Sequence, residues 1–252
     1  MNFLVVATLV VGQGGGDEDP PLWVPGWLVG WKVDARADFS LTAGNSDTTD
    51  LGGRGTMERS LGAGLVTLDL EALLGRAKTS GGGSETNKRR FDFEARWERD
   101  FSERFFGYAS AEMLHDKPGQ IDLRWMAGAG AGYRWAMNEG HELTTEAGPG
   151  WLREDRTSGI TPGVSEATTL RLAGEWTWHW TDRTRLREVA ELVFDVGDND
   201  DYLTEFETTV RTDLSEHVFF EWGLEIRHDS VPAAPGLEKD DQRLFTGVGI
   251  DF

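Results

Sequence analysis

The residues best suited to acid–base chemistry are the five histidines, but no two of them have the His-x-x-x-His spacing of a helical metal site. One local combination, His228-Asp229-Ser230, offers a base, a carboxylate and a hydroxyl in succession. Neighbouring residues of a strand point to opposite faces, so His228 and Asp229 would be poorly placed to hydrogen-bond to each other. The pattern therefore favours a protein that is not an enzyme, and a hydrolase centred on His228 is the alternative. The histidines are His115, His141, His179, His217 and His228.

Two further segments resemble ligand-binding loops without meeting their requirements. The acidic stretch 195–201 carries oxygen ligands suited to Ca²⁺, but it lacks the ordered spacing and bidentate glutamate of an EF-hand. The alternating glycines of 128–132 superficially resemble a phosphate loop, but no helix follows them. The absence of cysteine excludes disulfides and thiolate metal sites. We therefore expect no cofactor and no metal, and we expect these glycines to make room inside a barrel.

The elements that carry these residues are predicted to be strands, because the dominant period is two. In residues 29–41 every second side chain is apolar, and the residues between them are mostly charged. In 141–153, Pro149 lies between two glycines and predicts a bulge. No segment predicts a helix of convincing length. Twelve strands are predicted, near 28–42, 49–60, 64–77, 88–101, 105–115, 121–136, 141–153, 166–180, 184–197, 202–214, 217–229 and 240–252.

The connections between these strands alternate in length. Those after even-numbered strands are short, as at 102–104 and 215–216, whereas most others are longer and richer in glycine, proline and acid, as at 154–165 and 230–239. Short turns at one end and long loops at the other are typical of a transmembrane β-barrel with both termini at the short-turn end. The predicted fold is all-β, a single antiparallel up-and-down transmembrane β-barrel of about 12 strands over residues 28–252.

Alternation alone does not show which face of a strand meets water. In a soluble β-protein the apolar face packs in the core and the polar face meets water, whereas in a membrane barrel the apolar face meets lipid and the polar face lines the interior. The predicted strands exceed the usual five or six residues of globular proteins and are long enough to cross a bilayer. We therefore predict that the apolar parity faces lipid and that the charged parity lines the lumen. The predicted lumen-lining residues are Lys32, Asp34, Arg36, Asp38, Asp69, Glu71, Arg90, Asp92, Glu94, Arg96, Glu98, Arg124, Arg134, Arg171, Glu175, Glu205, Glu207, Arg211, Glu221, Glu225 and Arg227.

Because successive strands run in opposite directions, many aromatic residues are predicted to lie at the same end of the barrel, the short-turn end. An aromatic girdle at a membrane interface has this arrangement. Phe252 also ends an alternating final strand, which resembles the assembly signal of bacterial outer-membrane barrels. We therefore expect the lipid bilayer and lipopolysaccharide as partners, and the outer-membrane assembly machinery to recognise the C-terminal strand. The predicted girdle is Trp31, Trp97, Phe101, Tyr133, Trp135, Trp178, Trp180, Phe220, Trp222 and Phe252.

The start of the chain predicts export. Residues 3–11 are apolar and are followed by glycines and then by acids and prolines, which is typical of a secretory signal, although Met1 and Asn2 bring no positive charge. We expect a signal peptide at 1–16 and a linker at 17–27. The formal net charge of -19 argues against nucleic acid as a partner, since a phosphate backbone requires a basic surface.

Several short motifs occur in the order found in a known family. They are Leu41-Thr42-Ala43-Gly44-Asn45-Ser46, Glu98-Arg99-Asp100-Phe101, Ile121-Asp122-Leu123-Arg124 followed by the glycine run 128–134, and the ends Asp241…Leu244 and Gly247…Phe252. Together they resemble the salt-induced outer membrane protein family (domain of unknown function 481) over about residues 28–252. The resemblance implies an outer-membrane location and a link to salt stress, and it implies no established activity.

The charged lumen has two interpretations. Mutually paired charges would fill a narrow lumen and hold the barrel rigid, whereas an acidic excess would favour the passage of cations or neutral solutes. The predicted function is a structural or passive porin-like role in the outer membrane of a diderm bacterium. A hydrolase near His228 and a soluble ligand-binding β-barrel are the alternatives.

Overall fold

A computed structural model describes residues 29–43, 48–78, 84–135, 140–156, 163–198 and 200–251. The predicted signal peptide, the linker at 17–27 and Phe252 lie outside these residues. Within these ranges, no helix is long and apolar enough to span a membrane. The strands are β1 (Lys32–Ala43), β2 (Thr48–Leu61), β3 (Gly64–Lys78), β4 (Ser84–Asp100), β5 (Phe105–Asp116), β6 (Ile121–Trp135), β7 (His141–Arg156), β8 (Gly163–Thr181), β9 (Thr184–Asp195), β10 (Tyr202–Asp213), β11 (Val218–Asp229) and β12 (Asp240–Asp251).

The twelve strands form one closed antiparallel barrel in which each strand pairs with its neighbours in sequence. The first and last strands close the ring, with Ala35 opposite Ile250 and Leu41 opposite Leu244. The short turns, such as 182–183, lie at one end with the start of β1 and the end of β12, and the longer loops, such as 230–239, lie at the other. This architecture confirms the predicted single up-and-down barrel.

The strands are inverted relative to those of a soluble β-protein. On β12, Leu244 and Val248 are 51% and 52% exposed on the outside, whereas Arg243 and Phe245, on either side of Leu244, are buried on the inside. On β6, the outer parity from Trp125 to Trp135 is apolar throughout. Because strand side chains alternate, one sequence pattern supplies both an apolar exterior and a charged interior.

The barrel interior also contains aromatic rings that lie above glycines of the neighbouring strand. Phe106 lies opposite Gly132, and Tyr108 opposite Gly130, in the β5–β6 register. A Cβ on either glycine would overlap the ring that faces it. These inward rings explain why β5 shows no cleanly apolar parity in the sequence. The same arrangement pairs Phe219 with Gly249 and Phe245 with Gly223.

The bulge predicted at Pro149 is wrong. Along β8 the register of β7 runs without a shift from His141 to Arg156, and Pro149 lies directly opposite Leu170. Along β6, Gly128 lies opposite Gly150 and Ala131 opposite Ala147, so the register is the same on both sides of Pro149. Only the two pairs that would include Gly148 and Pro149 are missing. Proline has no N–H to donate to this ladder. The strand nevertheless stays in register, because Gly148 lets the two backbones approach closely.

Candidate functional site

The barrel encloses a cavity of about 840 Å³ that reaches both of its ends. Lys32 and Asp251 border it at the short-turn end, and Asp229 and Lys239 border it at the long-loop end. Its lining in the described part of the chain includes 19 carboxylate side chains and 13 lysines or arginines. The lumen is therefore polar along its length and acidic on balance.

Most residues predicted to line the lumen border this cavity. Two others, Asp38 and Glu225, also point inward but are buried in the wall, at 2% and 4% exposure. Those that border the cavity are Lys32, Asp34, Arg36, Asp69, Glu71, Arg90, Asp92, Glu94, Arg96, Glu98, Arg124, Arg134, Arg171, Glu175, Glu205, Glu207, Arg211, Glu221 and Arg227.

Sequence reasoning did not name several charged residues that also border the cavity. On β2, β5 and β7, glycines or inward aromatic rings interrupt the alternation of apolar and charged residues, and on β9 the inward positions include the apolar Val189 and Val193. The alternating direction of strand side chains could have identified these charged residues if it had been followed through such positions. The residues are Arg54, Glu112, Glu146, Arg185, Arg187 and Glu191.

A central ion-pair network crosses the lumen. Arg54 on β2 reaches both carboxylate oxygens of Glu207 on β10, at 3.0 and 3.2 Å, and also binds Glu71 on β3 at 3.2 Å. Three strands separate β2 from β10 in the ring. Arg243 on β12 joins the network through Glu71 and through Glu225 at 2.9 Å. This central network, built on Arg54, Glu71, Glu207, Glu225 and Arg243, places side chains across the middle of the lumen.

A second network links four strands on the opposite side of the barrel. Glu146 on β7 accepts hydrogen bonds from Arg96 on β4 at 2.6 Å and from Arg171 on β8 at 2.7 Å. Arg171 also binds Glu191 on β9 at 2.6 Å. The ring of Tyr108 lies beneath both guanidinium groups, 4.4 Å from that of Arg96 and 5.6 Å from that of Arg171. Stacking and pairing together hold these arginines against the wall.

Arg211 joins three strands at the short-turn end. It binds Asp34 on β1 at 2.5 Å, Asp213 on its own strand at 3.0 Å, and Asp251 on β12. Its guanidinium lies 3.6 Å from the centroid of Phe219. Arg211 is 5% exposed, so this cluster stabilises the seam where the first and last strands meet.

Three carboxylates form an acidic row on neighbouring strands. Asp69 on β3 lies directly opposite Glu94 on β4, which lies directly opposite Glu112 on β5. Asp69 accepts a hydrogen bond from the hydroxyl of Thr56 at 2.6 Å. In the described part of the chain, neither Glu94 nor Glu112 has a hydrogen bond or an ion pair. The acidic row is therefore a part of the lumen wall where carboxyl groups lie side by side without a directly bound guanidinium.

The predicted aromatic girdle lies outside the barrel toward the short-turn end. Its exposed members are Trp97, Phe101, Trp135, Trp180, Phe220 and Trp222, while Trp31, Tyr133 and Trp178 are half-buried and Phe252 lies outside the described residues. Trp176, Trp178 and Trp180 stack in a row on β8, with centroids 6.4 and 5.7 Å apart, and His141 stacks against the first two.

A second aromatic band, which sequence reasoning missed, lies toward the long-loop end. It includes the exposed residues Phe91, Trp125, Trp151 and Phe206. On β6, Trp125 and Trp135 are ten residues apart, which corresponds to roughly 25 Å along the axis at about 3.3 Å per residue and about 40° of strand tilt. That height matches the apolar band of an outer-membrane barrel.

The residues of the hydrolase alternative have separate partners. His228 Nδ1 lies 2.7 Å from a carboxylate oxygen of Asp240 and its ring stacks on Tyr202. Asp229 pairs instead with Arg124 at 3.4 Å. The Oγ of Ser230 accepts a hydrogen bond from the backbone N–H of Tyr202 at 2.7 Å. The structure thus places the hydroxyl in a structural contact rather than beside the imidazole.

The acidic loop 196–201 uses its carboxylates to form turns. Asp195 accepts a hydrogen bond from the N–H of Gly197 at 2.7 Å, and Asp198 accepts one from that of Asp200 at 3.1 Å. Burial and the nearby carboxylates of Asp229 and Asp195 raise the pKa of Asp201. No group of three or more potential metal ligands occurs among the described residues.

Comparison with known proteins places this fold among bacterial outer-membrane barrels. The NanC porin is similar with a TM-score of 0.57 at 10% identity, over 87% of this chain and 100% of the porin. The KdgM porin gives 0.50 at 9% identity, over 87% and 99%. The translocator domain of the autotransporter NalP from Neisseria meningitidis gives 0.50 at 10% identity, over 88% of each chain. At these identities the likeness shows a shared fold.

No curated protein matches this chain in sequence. A family model described as a protein of unknown function, DUF481, matches residues 35–252. The match begins in β1 and includes the rest of the barrel, and it confirms the resemblance seen in the sequence motifs. The chain therefore belongs to the DUF481 family.

Proposed function

We propose that this protein is a passive channel in the outer membrane of a diderm bacterium and that it favours small cations over anions. The proposal rests on one observation: the lumen cavity reaches both ends of the barrel, and its described lining carries 19 carboxylates against 13 basic side chains. A narrow passage with low-dielectric walls and one excess sign of charge concentrates ions of the opposite sign. Cation-selective pores use carboxylate rings in the same way.

The acidic row provides the local source of this preference. In the described part of the chain, no guanidinium binds directly to Glu94 or Glu112, so these carboxylates remain available to mobile ions. In the central network each of the three carboxylates binds a guanidinium directly, so these groups are less available to mobile ions than those of the acidic row. The acidic row therefore supports cation preference, whereas the networks support rigidity and a narrow pore.

Reconstitution in planar bilayers tests this proposal. Under a salt gradient we expect discrete currents whose reversal potential shows cation preference. The double variant Glu94→Gln/Glu112→Gln should lower the cation-to-anion permeability ratio roughly 2- to 10-fold. Glu166→Gln is the matched control, because Glu166 is exposed and pairs with Arg153, whose side chain is 41% exposed, and it should leave the ratio unchanged.

Two results would contradict this proposal. Anion-selective currents would refute the cation preference and the role of the acidic row. The absence of discrete currents from correctly folded protein would refute the channel function and favour the structural role, in which the paired charges only stabilise the wall. His228→Ala should not change the currents, since we propose no chemical step for this protein.

The outer-membrane location has a separate test. We expect the protein to fractionate with the outer membrane and to migrate faster on gels when unheated, because a closed barrel resists unfolding in detergent. The aromatic bands roughly 25 Å apart support this location. Purification as a monomer without detergent would instead support a soluble ligand-binding barrel. Induction at high salt would test the link to salt stress that the family resemblance implies.

A further inference from the structure

The loop between β11 and β12 is folded rather than extended. Ser230 is 8% exposed and is tied to Tyr202 at the start of β10, since its N–H donates to the Tyr202 carbonyl at 3.0 Å and its Oγ accepts from the Tyr202 N–H at 2.7 Å. The N–H of Asp229 donates to the carbonyl of Lys239 at 2.8 Å and closes the base of the loop. The segment 230–239 therefore has a fixed root and a defined direction.

This loop reaches across the long-loop mouth. Ala233 is 8% exposed and packs in one buried cluster with Leu114 on β5 and Ile121 on β6. In the ring of strands, β5 and β6 lie opposite β11 and β12. Pro232 and Leu237 border the lumen cavity from above. The tip of the loop therefore packs against the opposite wall of the barrel, formed here by β5 and β6.

An ion pair crosses the mouth in the same direction. Asp229, at the end of β11, pairs with Arg124 on β6 at 3.4 Å. Arg124 is in turn fixed by Glu154 on β7, whose carboxylate accepts a hydrogen bond from the arginine Nε at 2.6 Å. The root and the tip of the loop are therefore both directed toward the β5–β6 wall.

We propose that loop 230–239 is a lid on the long-loop mouth, which docks through Ala233 onto Leu114 and Ile121 and restricts the entry of solutes larger than a hydrated ion. The apolar contact described for the tip is local and consists of Ala233 against Leu114 and Ile121. Contacts of this size open locally without unfolding the rest of a domain. The effect on solute entry rests on the proposed channel function, whereas the docked position of the lid does not.

Cysteine cross-linking tests the docked position. The chain has no cysteine of its own, so Ala233→Cys/Leu114→Cys should form one intramolecular disulfide under mild oxidation if the two positions meet. Ala233→Cys/Ile121→Cys is the second variant, in case the first fails to fold. Ala233→Cys/Ser215→Cys is the control, because Ser215 lies in the turn at the opposite end of the barrel, and we expect no intramolecular disulfide there.

Liposome swelling tests the effect of the lid on solutes. With the disulfide formed, we expect entry of a neutral disaccharide to fall at least several-fold, and to recover when a reductant opens the bond. Folded variants that form no disulfide in either pair, or swelling that is unchanged by oxidation, would overturn the proposal. A disulfide with no permeation in either redox state would refute the channel function and the gating role together, while supporting the docked geometry.

Discussion

Replacing Arg54 by alanine is expected to destabilise the barrel by about 2–3 kcal/mol. The change leaves Glu71 and Glu207, which are 7% and 5% exposed, without the guanidinium that lies between them. Removing one partner of a fully buried ion pair costs about 3–5 kcal/mol. We expect less here, because Glu71 keeps Arg243 and Glu207 keeps Arg187 as partners.

The measurement is the denaturant midpoint of unfolding in lipid vesicles, followed by the heat-dependent mobility of the folded form on gels. Arg153→Ala is the matched control: it removes an arginine from a strand ion pair whose side chains are 41% and 53% exposed, and such pairs contribute about 0–1 kcal/mol. Adding Glu207→Gln to Arg54→Ala should recover part of the stability. Equal effects of Arg54→Ala and Arg153→Ala would show that the lumen solvates its charges as well as the exterior does.

The same Arg54 variant also bears on conduction. Since Arg54 connects β2 with β10 across the lumen, its loss should raise the single-channel conductance while making the lumen more acidic. Cation preference should therefore increase together with conductance. A variant that is destabilised but conducts as before would place the narrowest part of the pore away from the central network.

Replacing Gly132 by valine is expected to destabilise the barrel by about 2–4 kcal/mol or to prevent its assembly. The ring of Phe106, 1% exposed, occupies the space where a Cβ on Gly132 would lie. Arg134 covers the ring from the lumen side, 4.4 Å from its centroid, so the ring has little room to move. Overpacking of this kind costs about 1–3 kcal/mol, and more where neighbours cannot shift.

A second glycine and a compensating change make this prediction specific. Gly174→Ala is the control, because its Cβ would meet only the carbonyl oxygen of Thr144 at 3.8 Å, and we expect a change within about 0.5 kcal/mol. Combining Gly132→Ala with Phe106→Ala should restore assembly relative to Gly132→Val, since the second change removes the ring. Wild-type stability of Gly132→Val would mean that the ring does not occupy this position in the membrane.

Strand existence, strand order and the inversion of the two faces could be predicted from the sequence of this protein. The reason is that side-chain direction in a strand is a local property with a period of two, so β1, β6 and β12 show their outer and inner faces without reference to any other strand. Loop lengths are equally local, and they established which end carries the termini. The same rule failed to single out Arg54 and Glu112, because glycines on β2 and inward rings on β5 interrupt the apolar pattern.

The tertiary structure alone decided which inward groups meet. Arg54 and Glu207 are far apart in the chain and on non-neighbouring strands, and only closure of the ring brings them within 3.0 Å. The contact between the ring of Phe106 and Gly132 depends on the β5–β6 register. Ala233 contacts Leu114 only because the loop 230–239 crosses the long-loop end of the barrel. Alternation determines the face on which a side chain lies, whereas strand number, register and loop path determine its partners.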